Sequence, residues 1–181
     1  MSGDIGWLNA LTPDRAEAEL LTCCASREWA RKMLAHRPYA DRADLITAAV
    51  SAVEELTWLD VEEALAAHPR IGERAAVAPR EGLSDTPAET ARREAMWSRD
   101  EQSGAANAAA AVLDELAAGN VAYERRFGHV FLIRATGRSA AEMLAQLRKR
   151  LDNSVTDERR AVRAELADIT WLRVEKLLVR R

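Results

Sequence analysis

Asp44-Leu-Ile-Thr-Ala-Ala-Val-Ser-Ala-Val-Glu-Glu-Leu-Thr57, then Trp58-Leu-Asp-Val-Glu-Glu-Ala-Leu-Ala-Ala67, then His68-Pro-Arg-Ile-Gly72, is the stretch from which the fold can be read. Leu45, Ile46, Ala49, Val50, Val53 and Leu56 recur at helical spacing and gather on one face, predicting an amphipathic helix from about Asp44 to Thr57. Asp60 offers an N-cap, with Glu63 at the capping-box position, for a second short helix over 61–67. Pro69 cannot continue that helix, so His68 falls at its C-terminal end. A histidine, a proline, an arginine and a glycine in succession do not resemble core material, and this break marks a candidate site.

Outward from that stretch the same pattern repeats. Ala16, Leu20 and Cys24 step by four through a first helix over 14–24, and Ser26 caps a short one that Pro38 ends. Thr86-Pro87-Ala88-Glu89 is a strong helix start, with a capping threonine, proline at the first position and glutamate three residues on. The helix it opens is expected to reach about Ala118 and to close at Gly119-Asn120, with a further turn or two over 121–127. Ser139-Ala140-Ala141-Glu142 is another capping box, turning Met143, Leu144, Leu147 and Leu151 inward, and a last helix runs from about Thr156 to Val179. Val130-Phe131-Leu132-Ile133 is the one β-favouring run. Without a partner strand it reads as an extended connector packed against helices. The expected architecture is all-α, a single-domain bundle of about eight helices with one extended non-sheet segment.

Composition narrows the function. The chain has 181 residues, 48% of them hydrophobic and 30% charged, enough for one well-buried domain. A net charge of −3 argues against nucleic acid as the main partner. No run of about 18 apolar residues suggests a membrane span, and residues 1–9 lack the layout of a secretory signal. Cys23 and Cys24 are adjacent and read as small apolar residues in a reducing compartment, so a cytoplasmic protein is expected. No HExxH, CxxC, histidine pair at ligand spacing or phosphate-binding glycine loop is present, giving no support to a metal or nucleotide site.

Three constellations remain. Histidine gives and takes protons near neutrality, which suits His68 to acid/base work; a nearby arginine would lower its pKa and a helix C-terminus would raise it. Ser98, Glu101 and Gln102, spaced by three and four, share one helical face. They form either a solvated face or a set of donors and acceptors for a small, nitrogen-rich ligand with several carbonyls. Arg173 sits on the apolar stripe Val162, Leu166, Ile169, Arg173, Leu177, where it either snorkels outward or meets an anion inside.

Taken together, His68-Pro-Arg-Ile-Gly72, Glu101-Gln-Ser-Gly104, Phe127-Gly-His-Val-Phe-Leu-Ile133 and an arginine in the last helix resemble the OHCU decarboxylase family, the 2-oxo-4-hydroxy-4-carboxy-5-ureidoimidazoline decarboxylases. Asn9, Trp29, Arg37-Pro38, Tyr123, Gly137-Arg138-Ser139, Leu151-Asp152-Asn153 and Glu165 support the likeness, which extends from about residue 7 to 178 and makes 1–181 one OHCU decarboxylase-like domain. The resemblance implies a single all-helical domain that releases carbon dioxide from this substrate to give (S)-allantoin. It implies catalysis by His68 with Glu101, and substrate binding by Ser98, Gln102, Arg173, the Pro69 wall and the main chain of Phe131 and Ile133. The family needs no metal or organic cofactor and is commonly homodimeric. A different class of function, a non-catalytic helical module binding a small ureide or another helix, would use the same residues without turnover.

Overall fold

The computed structural model describes residues 5–72 and 110–179. Every regular element among them is a helix: α1 (Gly6–Ala10), α2 (Pro13–Leu21), α3 (Arg27–His36), α4 (Arg42–Glu54), α5 (Trp58–Ala66), α6 (Ala110–Phe127), α7 (Ala140–Leu151) and α8 (Val155–Val179). The all-α expectation is borne out. No helix among the described residues is long and apolar enough to cross a membrane. The chain divides into two compact units. Among the described residues, one comprises 5–64 and 167–179, the other 65–72 and 110–166.

In the first unit, α2 to α4 bury Ala16, Leu20, Trp29, Met33, Leu45, Ala49 and Val53. Trp29 Nε1 donates to the Ala49 carbonyl at 3.0 Å, so the largest buried ring also satisfies its polar atom. Ser26 caps α3 as expected, its hydroxyl accepting from Trp29 N at 3.3 Å. Asn9 joins the start of the chain to Tyr39 through both amide atoms, giving to Tyr39 O at 2.8 Å and taking from Tyr39 N at 2.9 Å. Arg37 adds donations to the carbonyls of Asn9 at 2.7 Å and Leu11 at 2.6 Å. Asn9 and Arg37 are therefore explained by chain closure. Cys23 and Cys24 are buried and not disulfide-linked. Burial pushes the Cys23 thiol up to about 12, against smaller lowering effects from Thr22 and Arg173.

Two expected boundaries are wrong, each for a local reason. The helix α5 starts at Trp58, and Thr57 is its capping residue: Asp60 Oδ2 accepts from Thr57 N at 2.9 Å and Thr57 Oγ1 at 2.6 Å. Glu63 instead pairs with Arg27. Likewise α6 runs through Gly119-Asn120 without a break and ends at Gly128, whose φ is +80° and whose N–H returns to Glu124 O at 2.8 Å. Gly119 is there for close packing against Leu147 of α7, and Asn120 spends its side chain on the Ile71 carbonyl. The expected helix start at Thr86 lies outside the described residues.

The second unit is built around Ile71, Leu116, Tyr123, Phe131, Ile133, Met143 and Leu147. Its helix α7 opens with the predicted capping box: Ser139 Oγ accepts from Glu142 N, and the Glu142 carboxylate takes Ser139 N. Ser154 caps α8 by accepting from Asp157 N at 3.1 Å.

Candidate active site

The loop after α5 is anchored at several points within its unit. His68 N–H returns to Leu65 O at 3.0 Å, closing the helix end that Pro69 enforces, and the His68 residue is buried. Arg70 makes a two-point ion pair with Glu124 of α6, at 2.5 Å from Nε and 2.9 Å from Nη2. That pairing holds the Glu124 carboxyl below its usual range, chiefly through the hydrogen bond from Arg70. Asn120 Nδ2 holds the Ile71 carbonyl at 2.8 Å, and the Ile71 side chain enters the same apolar cluster as Phe131 and Ile133. The His68–Gly72 stretch is thus fixed to α6 from both flanks of Ile71.

Residues 130–135 connect α6 to α7 without forming a strand pair. Phe131, Ile133 and Ala135 all enter one apolar cluster, the period-two pattern of an extended chain. Main-chain groups alternate too. Leu132 O accepts from Arg150 Nη1 at 2.7 Å. Arg134 N donates to Glu165 Oε2 at 2.7 Å, and Arg134 O accepts from Arg138 Nη1 at 3.2 Å. Both residues meet side chains on one edge. On the other edge, no hydrogen bond among the described residues reaches the main chain of Phe131 or Ile133, although both residues are buried. A buried peptide group left unmet costs about 1–3 kcal/mol.

Behind that edge lies a polar network that sequence reasoning missed. Arg150 of α7 and Glu158 of α8 are buried and bonded through Nε at 2.8 Å and Nη2 at 2.5 Å. Tyr123 donates its hydroxyl to Glu158 Oε1, and Asn153 Nδ2 reaches Oε2 at 2.7 Å. The Arg150 guanidinium also lies 4.7 Å from the Phe131 ring centroid. Burial alone would raise the Glu158 pKa, but hydrogen bonds from Arg150 and Tyr123, with the Arg150 charge, outweigh it and hold the carboxyl low. Burial and the Glu158 hydrogen bond push the Tyr123 hydroxyl well up. The signal was available. Arg150 follows Leu147 by three, and Glu158 precedes Val162 by four, so both sit on apolar stripes as Arg173 does.

Of the residues singled out from sequence, His68, Pro69, Phe131 and Ile133 belong to the second unit. Arg173 belongs to the first and is 2% exposed, so it does not snorkel. Ser98, Glu101 and Gln102 lie outside the described residues. His36 pairs with Asp44 at 3.0 Å at the surface. His129 accompanies Tyr123 and Phe127 in a ring cluster.

The buried His68 at a broken helix end, the apolar cluster and the extended segment 130–135 thus fall in one unit of an all-helical protein. A family model described as OHCU decarboxylase matches residues 9–175, and the chain belongs to that family. The uric acid degradation bifunctional protein TTL of Arabidopsis thaliana is 36% identical over 163 residues, covering 89% of this chain and 47% of that protein. The chain therefore spans about half the length of this curated relative. The crystal structure of OHCU decarboxylase in the presence of (S)-allantoin is 34% identical, with a TM-score of 0.70, covering 90% of this chain and 98% of that one. The crystal structure of (S)-allantoin synthase shares the fold at 17% identity and a TM-score of 0.64, over 96% of this chain and 53% of the other.

Proposed function

We propose that this protein decarboxylates 2-oxo-4-hydroxy-4-carboxy-5-ureidoimidazoline to (S)-allantoin and carbon dioxide, the last step from urate to allantoin. The observation that carries the reading is that, among the described residues, no hydrogen bond reaches the main chain of Phe131 or Ile133, which lie in the same unit as the anchored His68 loop, in a chain of the decarboxylase family. A ureide ring is rich in N–H and C=O groups, and an extended peptide edge offers their complements.

In this reading the carbon–carboxylate bond breaks and its electron pair enters the conjugated ring of the substrate, which serves as its own sink. A proton is then returned to ring carbon from one face, fixing the S centre. Neither a metal nor an organic cofactor takes part. The protein supplies orientation, stabilisation of developing charge and the proton. His68 is the acid/base with Glu101. Ser98 and Gln102 hold the ureido and ring groups, Arg173 the polar edge, Pro69 one wall, and Phe131 and Ile133 the ring through their main chain. All of these roles rest on the family likeness, and Ser98, Glu101 and Gln102 lie outside the described residues. Two buried cysteines fit a reducing, cytoplasmic setting, and a homodimer is the expected assembly, to be read by light scattering.

The test generates the unstable substrate in place from urate with the two preceding activities, adds this protein, and follows absorbance and optical rotation. Faster decay to optically active allantoin is expected. Unchanged decay to racemic product would return the protein to the alternative, a ureide-binding module without turnover.

A further inference from the structure

We infer that Glu165 and Arg150 are positioning residues for the proposed reaction. They grip residues 130–135 from behind, so that the opposite main-chain edge of Phe131 and Ile133 stands at a fixed place for substrate. The inference rests on the functional reading above, but it assigns residues that this reading does not use.

In a sheet, a neighbouring strand sets where a peptide edge stands. Here charged side chains do so. Glu165 Oε2 takes Arg134 N at 2.7 Å, and Glu165 is itself held by Arg138 Nη1 at 3.1 Å, whose other contact is the Arg134 carbonyl. Arg150 Nη1 donates to Leu132 O at 2.7 Å, while Glu158 accepts from its Nε and Nη2. The two gripped residues, Leu132 and Arg134, alternate with Phe131 and Ile133, whose main chain meets no hydrogen bond among the described residues. Charge-assisted bonds of this length are about twice as strong as neutral ones, and each guanidinium is locked by a carboxylate. Such outer contacts decide whether a substrate-facing group is placed to within about 0.5 Å.

The experiment compares wild type, Glu165→Ala, Glu165→Gln and Arg150→Lys for thermal midpoint, kcat, KM and enantiomeric excess of the allantoin formed. Glu165→Ala removes the acceptor for Arg134 N, whereas Glu165→Gln keeps a carbonyl oxygen there. Glu165→Ala is expected to lower kcat/KM by about tenfold or more, mainly through KM, and to lower enantiomeric excess. Glu165→Gln is expected to retain kcat/KM within about threefold, the rescue that a merely space-filling role would not produce. Should Glu165→Ala fail to fold, Arg150→Lys carries the test. It keeps the charge facing Glu158 but loses the fork that also reaches Leu132 O, and the same KM and stereochemical losses are expected. A folded variant with wild-type KM and enantiomeric excess, in the presence of active wild type, overturns the positioning role and leaves the decarboxylase reading intact. Wild type that does not accelerate the reaction overturns both.

Discussion

Gly119 of α6 faces Leu147 of α7 so closely that a Cβ built on the glycine would stand 2.4 Å from Leu147 Cδ2. Leu147 is wholly buried and has little room to yield. Gly119→Ala should therefore destabilise the protein by about 1 kcal/mol, because overpacking outweighs the helix propensity that alanine gains. Thermal unfolding should show a midpoint about 2–4 °C lower. The same change in a Leu147→Ala background should cost less, since the steric partner is gone. An equal loss in both backgrounds would refute the packing explanation.

Acid should weaken the fold through Glu158. Its carboxyl pKa is lowered from 4.5 in the folded protein, so the unfolded chain binds the proton more tightly. The stabilisation is present above about pH 4.5 and is lost as pH falls through the lower folded value. Glu158→Gln should flatten that acid limb in a plot of thermal midpoint against pH. At neutrality it should cost about 3 kcal/mol, leaving the buried Arg150 without its carboxylate.

Removing the imidazole tests the proton-transfer role. His68→Ala should lower kcat about 10²–10⁴-fold while leaving the far-ultraviolet helical signal intact. The loop has other anchors, Arg70 on Glu124 and Asn120 on the Ile71 carbonyl, so its backbone should survive the change. Near-full activity in stopped-flow assays would take His68 out of the mechanism.

Arg173→Leu separates binding from scaffolding. Leucine continues the apolar stripe of α8, so the change should cost substrate affinity more than stability. If the guanidinium holds the substrate, kcat/KM should fall about 10–100-fold, the worth of a hydrogen bond to a charged group. Unfolding without a kinetic effect in the folded fraction would assign Arg173 to an internal ion pair instead.

Helix content was legible because it depends on periodicity and capping chemistry close in sequence. Ser26 and Ser139 cap as their spacing says they should. Gly119-Asn120 misled because glycine has two uses, helix ending and close approach, and only the position of Leu147 decides between them. Asp60 with Glu63 misled because Thr57-Asp60 offers the same chemistry three residues earlier and Arg27 claims Glu63. On the candidate site, the break at His68 and the place of Arg173 on an apolar stripe were readable from the pattern, whereas spacing left open whether Arg173 snorkels, which its 2% exposure decides. The Arg150–Glu158 pair was not recognised, although its residues interrupt apolar stripes just as Arg173 does. The partner of a stripe-borne charge lies on another helix, and spacing within one helix does not reveal it.

Residues 130–135 take their hydrogen bonds from side chains rooted in α7 and α8 and in the turn after them, instead of from a neighbouring strand. A strand in a sheet can slide by two residues and find equivalent partners. This segment has no such translational freedom, because Arg150 and Glu165 each address one peptide group. Nor do those bonded groups offer a free ladder on which another chain could add. Single-residue insertions and deletions between Val130 and Ala135 are thus barred by addressing, over and above the packing that already constrains the buried side chains of Phe131, Ile133 and Ala135.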